Sequence, residues 1–348
     1  MDTSGNNGSA REVDVHMEDD GLTIEDTTHQ WNPNAATFRP LHNPAKRNGE
    51  FRANVCFANS VTQCLLALPS VQDWIRRTGT AVSPIRAALQ EIENGNTNHT
   101  LDLIDAVMEG TTADDLADDF SDGRQHDALE FFYSMLAQEP DLRGVFEFYR
   151  LETRTCTNCR CAELCQAGDV HRCLVIQRPL QQASGQPQRM QINELIANEL
   201  NSTRMQRCNK IATCKGNYGD GVNHEIKGQL RLLTCNVLCI RIKIFARRTE
   251  NGPEEKSNAE ITITDDLELD GERWSYTAAI LHRGNSIESG HYRAYTRHGD
   301  RWLLKDDSRS FVEPLPNTLK RTCETNPTSL VYTLFLTRKL PQHMEVDN

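Results

Sequence analysis

Apolar positions Val61, Cys64, Leu65 and Leu68 recur at helical spacing after Cys56 and stop at Pro69. That pattern predicts an amphipathic helix that begins close to Cys56 and ends at the proline. Ser83-Pro84 opens a second helical run through Ala87, Ala88 and Leu89, with a serine N-cap and a proline in the first turn. Ala128, Phe131, Phe132, Met135 and Leu136 fall on one helical face, with Gln125 and Asp127 at its start. From Phe146 onward the period changes. Leu238, Ile240, Ile242 and Ile244 alternate with Arg241 and Lys243, as in a half-buried strand. Segments 261–263, 276–281, 291–296, 301–304 and 330–336 read as further strands with short polar links, which favours an antiparallel sheet. A helical half followed by a β half predicts an α+β layout with a cleft between the halves.

Residues 1–45 are rich in Gly, Ser, Asn, Asp and Glu and read as a disordered tail. The chain has 348 residues, enough for one large core or two smaller ones. No internal repeat stands out. Its net charge of −11 argues against bulk nucleic-acid binding. No apolar stretch approaches the roughly 20 residues that span a bilayer, and the polar N-terminus lacks the apolar core of a secretory leader. The expected setting is therefore cytosolic or nuclear, and the twelve cysteines read as thiols and metal ligands, not as a disulfide framework.

The candidate chemistry starts at Cys56. A thiol attacks a carbonyl only as thiolate, which a nearby imidazole and the positive end of a helix both favour. The predicted helix start supplies one of these. His291, at the head of a strand after the polar link 283–290, supplies the other. The strand around Trp302 brings Asp306 or Asp307 beside the imidazole, where a carboxylate fixes its tautomer. Cys64, on the apolar face of the same helix, reads as core. His282 competes weakly with His291, because no turn glycine precedes it.

Cys156-Thr157-Asn158-Cys159 is a CxxC pair, which suits tetrahedral zinc, and Cys161, Cys165, Cys173, Cys208 and Cys214 follow. No HExxH or HxE motif accompanies them, so a catalytic zinc is not expected.

Three blocks in order resemble the ubiquitin-specific proteases, the papain-like deubiquitinases. They are Asn54-Val55-Cys56-Phe57-Ala58-Asn59-Ser60, then Arg124-Gln125-His126-Asp127-Ala128-Leu129-Glu130-Phe131-Phe132, then Gly290-His291-Tyr292-Arg293-Ala294-Tyr295 with Trp302 and Asp306-Asp307-Ser308. The resemblance covers roughly residues 45–340. It implies a helical thumb, an antiparallel β palm and β fingers over about 150–235, within a catalytic domain of 46–340 and with a short tail at 341–348. It implies hydrolysis after the C-terminal glycine of ubiquitin through a thioester, with no cofactor needed for the chemistry. Cys56 becomes nucleophile, His291 base then acid, Asp306 orienter and Asp307 support. Gln125, Asp127 and Tyr292 become substrate-binding residues, and Cys156, Cys159, Cys208 and Cys214 the ligands of a structural zinc in the fingers. Partners are ubiquitin and ubiquitinated proteins, and the protein is expected to be a monomer. The family usually has an asparagine five residues before the cysteine as oxyanion donor. Here that residue is Phe51, so Asn54 and the Cys56 backbone N–H become the expected donors. Phe51 also defines the alternative of a ubiquitin-binding scaffold that does not cleave. A protease for a ubiquitin-like modifier is a further alternative.

Overall fold

The first helix is buried more widely than its apolar stripe predicts. α1 (Cys56–Leu66) is buried at every position, polar Asn59, Ser60, Thr62 and Gln63 included. A two-stranded hairpin precedes it, β1 (Ala45–Arg47) with β2 (Glu50–Arg52). α2 (Pro69–Arg76) starts at the proline that stops α1, with that proline in its first turn. α3 (Pro84–Glu93) has Ser83 as N-cap, its side chain accepting from the Arg86 N–H. α4 (Thr100–Glu109), α5 (Ala128–Gln138) and α6 (Pro140–Phe146) complete the helical half. The expected apolar face of α5 is fully buried, and Phe132 makes edge contacts with Phe146 and Phe335 at ring separations of 5.0 and 5.7 Å.

The β half follows in chain order. β3 (Phe148–Cys156), β4 (Ala162–His171), β5 (Leu174–Gln177) and β6 (Arg189–Gln191) lead to α7 (Ile192–Leu200), β7 (Asn201–Gln206) and β8 (His224–Leu233). Then come β9 (Val237–Lys243), β10 (Phe245–Arg247), β11 (Glu254–Lys256), β12 (Glu260–Thr262) and β13 (Asp266–Leu269). The chain ends this half with β14 (Glu272–Arg283), β15 (His291–His298), β16 (Arg301–Asp306), β17 (Arg309–Pro314) and β18 (Ser329–Arg338). The computed structural model describes residues 41–43, 45–47, 50–77, 81–110, 119–160, 162–177, 189–206, 224–233, 236–247, 254–256, 260–263, 266–269, 271–284, 286, 289–299, 301–314 and 329–339. The chain divides into units Met1–Pro33 and Asn34–Asn348, and every described residue belongs to the second. The expected tails lie outside the described residues, apart from the short stretch from Leu41 to Ala45.

Two larger sheets carry this half. An eight-stranded sheet runs β17-β16-β15-β14-β18-β9-β5, with β13 also on β14. A four-stranded sheet runs β4-β3-β8-β7. The α+β layout expected from the sequence is therefore present, with two corrections. The large sheet is mixed, not purely antiparallel, because β5 pairs parallel to β9. β9 is not simply half-buried either. Val237 to Ile240 are all buried, since the strand lies between β18 and β5 with α6 packed on it. The strand pattern after Phe146 also conceals α7, whose apolar Ile192, Leu195, Ile196 and Leu200 are helically spaced and buried. α1 packs across β14, β15 and β16, so the helix bearing Cys56 lies against the strands bearing His291 and Asp306.

Candidate active site

Cys56 is the first residue of α1, after Val55 as N-cap. The first intrahelical acceptor of that turn is Val55, which takes the Asn59 N–H at 2.9 Å. The Cys56 N–H thus belongs to the first-turn donors that a helix leaves without an internal acceptor, at the positive end of its dipole. The residue is only 1% exposed, beneath the partly exposed His291 and Gln125.

His291 opens β15, paired with Arg283 of β14. Gly290 ahead of it has a steric cause. A Cβ there would come within 2.2 Å of His282 Nε2 and 2.7 Å of the Arg283 carbonyl oxygen. The pairing of Ala294 with Lys305 puts Asp306 beside Arg293 one step on, on the face His291 shares by the two-residue alternation of a strand. His291 Nε2 accordingly donates to Asp306 Oδ1 at 2.5 Å, and the ring also hydrogen-bonds Cys56. Arg293 Nε lies 2.9 Å from Asp306 Oδ2. Burial pulls the imidazole pKa down, but the Asp306 bond, then Cys56, outweigh it and raise it to about 10. Burial pushes the Asp306 carboxyl up, yet its His291 bond and Arg293 hold it below the usual carboxylate range. The imidazole is thus held as a cation between a carboxylate and a sulfur.

Asp307 serves differently. It takes Asn59 Nδ2 on Oδ1 and Asn43 Nδ2 on Oδ2, each at 2.9 Å, and lies 3.7 Å from His291 Nε2. Burial raises its pKa, against those two amide bonds. Asn59 in turn accepts from Thr100 Oγ1 at 3.0 Å and donates to the His42 carbonyl at 3.1 Å. Asp306 therefore holds the imidazole, while Asp307 ties β16 to α1. His291, Asp306 and Asp307 are also the one group of three potential metal ligands found close together among the described residues. Their mutual contacts and their sulfur neighbour point to proton transfer.

The segment before α5 lies across the sulfur. Gln125 Nε2 is 3.6 Å from Cys56 Sγ. Asp122 Oδ1 takes the Arg124 N–H at 2.7 Å and lies 2.9 Å from His126 Nε2. The His126 ring stands edge-on to Phe57 and Phe120. Asn54, in the left-handed region at φ 59°, donates to the Gly123 carbonyl at 2.9 Å. The Asn54 amide, expected as an oxyanion donor, thus holds the 122–126 segment beside Cys56. Asp127 was expected to bind the substrate. Here it caps α5 through the Leu129 N–H at 2.7 Å, and its other oxygen takes Tyr332 Oη at 2.5 Å and Arg241 at 3.3 Å. An incoming arginine would have to displace Arg241. Tyr292 is 2% exposed, its ring between His282 and Tyr332 and its hydroxyl on the Ala128 N–H. Its side chain is thus packed, not presented to a substrate.

Cys64 is core as expected, its Sγ bonding the Ala279 carbonyl. His282 is 1% exposed, and burial, with Lys256 and His291 nearby, drives its pKa down to about 4, so it stays neutral. Cys156 and Cys159 flank a turn in which Cys156 O accepts from the Arg160 N–H at 2.8 Å. Cys161, Cys208 and Cys214 lie outside the described residues. β8 pairs Ile226 with Cys156 on one side, and His224 with Gln206 on the other.

Sequence reasoning missed Arg293, Asn59, Asn43, Thr100, Arg241 and Tyr332. Asn59 alone had a signal: a side-chain amide three positions after Cys56, on the same helical face.

A cysteine at a helix start, a strand-borne histidine and a carboxylate behind it, on an α+β frame, define a papain-like cysteine hydrolase. Residues 50–335 match the family Ubiquitin carboxyl-terminal hydrolase, and the chain belongs to that family of cysteine-type deubiquitinases. No curated protein sequence matches it significantly. Among solved structures, the SAGA Ubp8/Sgf11/Sus1/Sgf73 DUB module bound to ubiquitin aldehyde matches with TM-score 0.63 at 16% identity, covering 88% of this chain and 70% of the other. The SAGA DUB module of the same four components bound to monoubiquitin matches with TM-score 0.61 at 16% identity, covering 90% and 72%. At that identity the likeness is one of fold.

Proposed function

We propose that this chain hydrolyses the peptide or isopeptide bond after the C-terminal glycine of ubiquitin through Cys56, His291 and Asp306. The observation that carries this reading is the His291 ring bonded to both Cys56 and Asp306. Cys56 thiolate attacks the glycine carbonyl. The imidazolium of His291, held by Asp306, gives its proton to the leaving amine, and a thioester remains. Water, deprotonated by His291, then attacks the thioester, and Cys56 leaves as thiolate. The near-complete cover over Cys56 suits a substrate whose last residues have no side chains, and both similar structures hold ubiquitin or its aldehyde. Residues 46–340 form the catalytic domain in this reading, flanked by tails. Within it, residues 150–235 form fingers in which Cys156, Cys159, Cys208 and Cys214 hold a zinc that braces the turn and takes no part in catalysis. No helix among the described residues is long and apolar enough to cross a membrane, and we assign the protein to the cytosol or nucleus, as a monomer acting on ubiquitinated proteins.

A ubiquitin probe with a C-terminal electrophile tests this reading. Wild type should become covalently labelled, and Cys56→Ala should not. Absent labelling with retained ubiquitin affinity would mean a non-cleaving scaffold. Labelling only by a ubiquitin-like probe would move the substrate class.

A further inference from the structure

We infer that the side-chain amide of Gln125 is an oxyanion donor of this site, a role distinct from holding the substrate tail. The inference rests on the Cys56–His291 reading above. Sγ of Cys56 has His291 as one neighbour and Gln125 Nε2, at 3.6 Å, as another. Among the described residues that sulfur is the one hydrogen-bond partner found for the Gln125 side chain. When the thiolate adds to a carbonyl, the C–S bond forms and the C=O π pair moves onto oxygen, two bonds from sulfur. A donor 3.6 Å from Sγ stands where it can meet that oxygen at about 2.7–3.1 Å, the contact an oxyanion requires. Collapse of the adduct returns the pair to the carbonyl and expels the amine with the His291 proton.

Preorganisation is the second requirement of an oxyanion donor, and Gln125 is gripped from both sides. Ahead of it, Asn54 holds Gly123, and Asp122 holds the Arg124 N–H and His126. Behind it, Asp127 caps α5 and is itself fixed by Tyr332 and Arg241. The Asn54 amide is used in this clamp, so besides the proton-bearing His291 the side-chain donor that faces the sulfur is Gln125 Nε2, alongside the Cys56 N–H of the first helical turn.

The experiment compares wild type, Gln125→Ala and Gln125→Glu on a fluorogenic ubiquitin C-terminal amide. It also measures ubiquitin affinity in a Cys56→Ala background, with and without each change. An oxyanion role predicts kcat lower by about a hundredfold or more for Gln125→Ala, KM little changed, and an even slower Gln125→Glu, which keeps the shape but brings a carboxylate to the anion. Binding of ubiquitin aldehyde should weaken in parallel with kcat, while affinity in the Cys56→Ala background stays the same. A raised KM with unchanged kcat, or affinity lost in that background, assigns Gln125 to the tail and overturns the inference. A faster Gln125→Ala makes the amide a cover over the sulfur and overturns it equally. An inactive, unlabelled wild type removes the catalytic reading itself, and the inference with it.

Discussion

The eight-stranded and four-stranded sheets differ in how far their described positions are buried. In the large sheet, β14 buries Tyr276 and Ala278 to Leu281 within 1% exposure, and β18 buries Leu330 to Leu336 to within 3%. α1 covers β14, β15 and β16, and α6 covers β9. In the four-stranded sheet, Phe148 and Cys156 at the two ends of β3 are buried, while Tyr149 and Val170 face each other across β3 and β4 at 45% and 38% exposure. The first sheet is locked by packed side chains. At its described positions the second has α7 beside β7 and β8 and, in our proposal, a metal clip at the Cys156–Cys159 turn. In our proposal the catalytic imidazole and carboxylate lie on the packed sheet, where their geometry can be kept to a fraction of an ångström.

The sharpest test of this contrast is Phe132→Ala. Removing that ring from between Phe146 and Phe335 should cost about 3–5 kcal/mol, seen as a large fall in unfolding midpoint with activity lost only when the protein melts. A loss below about 1 kcal/mol would mean the packed sheet is not what holds the site.

Next in size is the carboxylate at His291. Asp306→Asn should lower kcat/KM on the order of a hundredfold or more. It should also move the basic limb of the pH–rate profile from near 10 down toward the ordinary histidine value of about 6.5. The sign for stability follows from the same shift. A folded pKa raised above the unfolded one contributes stability fully present below about 6.5 and lost as pH rises through about 10. The unfolding free energy of wild type should therefore decline across that window more than that of Asp306→Asn. An identical slope in the two proteins would break this account.

A smaller effect should separate the sheets directly. Metal removal by a chelator should speed amide exchange in β3 and β8 by about tenfold or more, leaving β14 and β18 unchanged. Metal analysis should find close to one zinc per chain, and Cys159→Ser should lower it. Equal loosening of both sheets, or no bound metal, would end the clip. The smallest effect is expected at Tyr149→Ser, within about 0.5 kcal/mol of wild type in stability, since that ring already meets solvent.

The local elements were legible in the sequence: the helix that Cys56 opens and Pro69 stops, the serine cap at Ser83, the buried face of α5, and the strand that His291 begins. These rest on periodicity and capping, which act within a few residues. The Cys56 and His291 candidates were legible because their motifs are contiguous. What the amide of Asn54 bonds to was not, because Gly123 approaches it only in the folded chain. Residue pattern alone left Asp306 and Asp307 open, and only the family resemblance chose Asp306; the two adjacent residues point to different partners. The register of β15 on β16 gives one to His291, and the packing of α1 gives the other to Asn59. Asp127 was assigned to the substrate from its motif, yet Arg241 and Tyr332 reach it from β9 and β18. The sequence by itself determined which groups of this deubiquitinase are the candidates to react, since that is carried by residue type and short-range pattern. The tertiary structure decided which donor meets which acceptor, because hydrogen bonds are short and directional, and only sheet register and helix packing bring distant side chains within their reach.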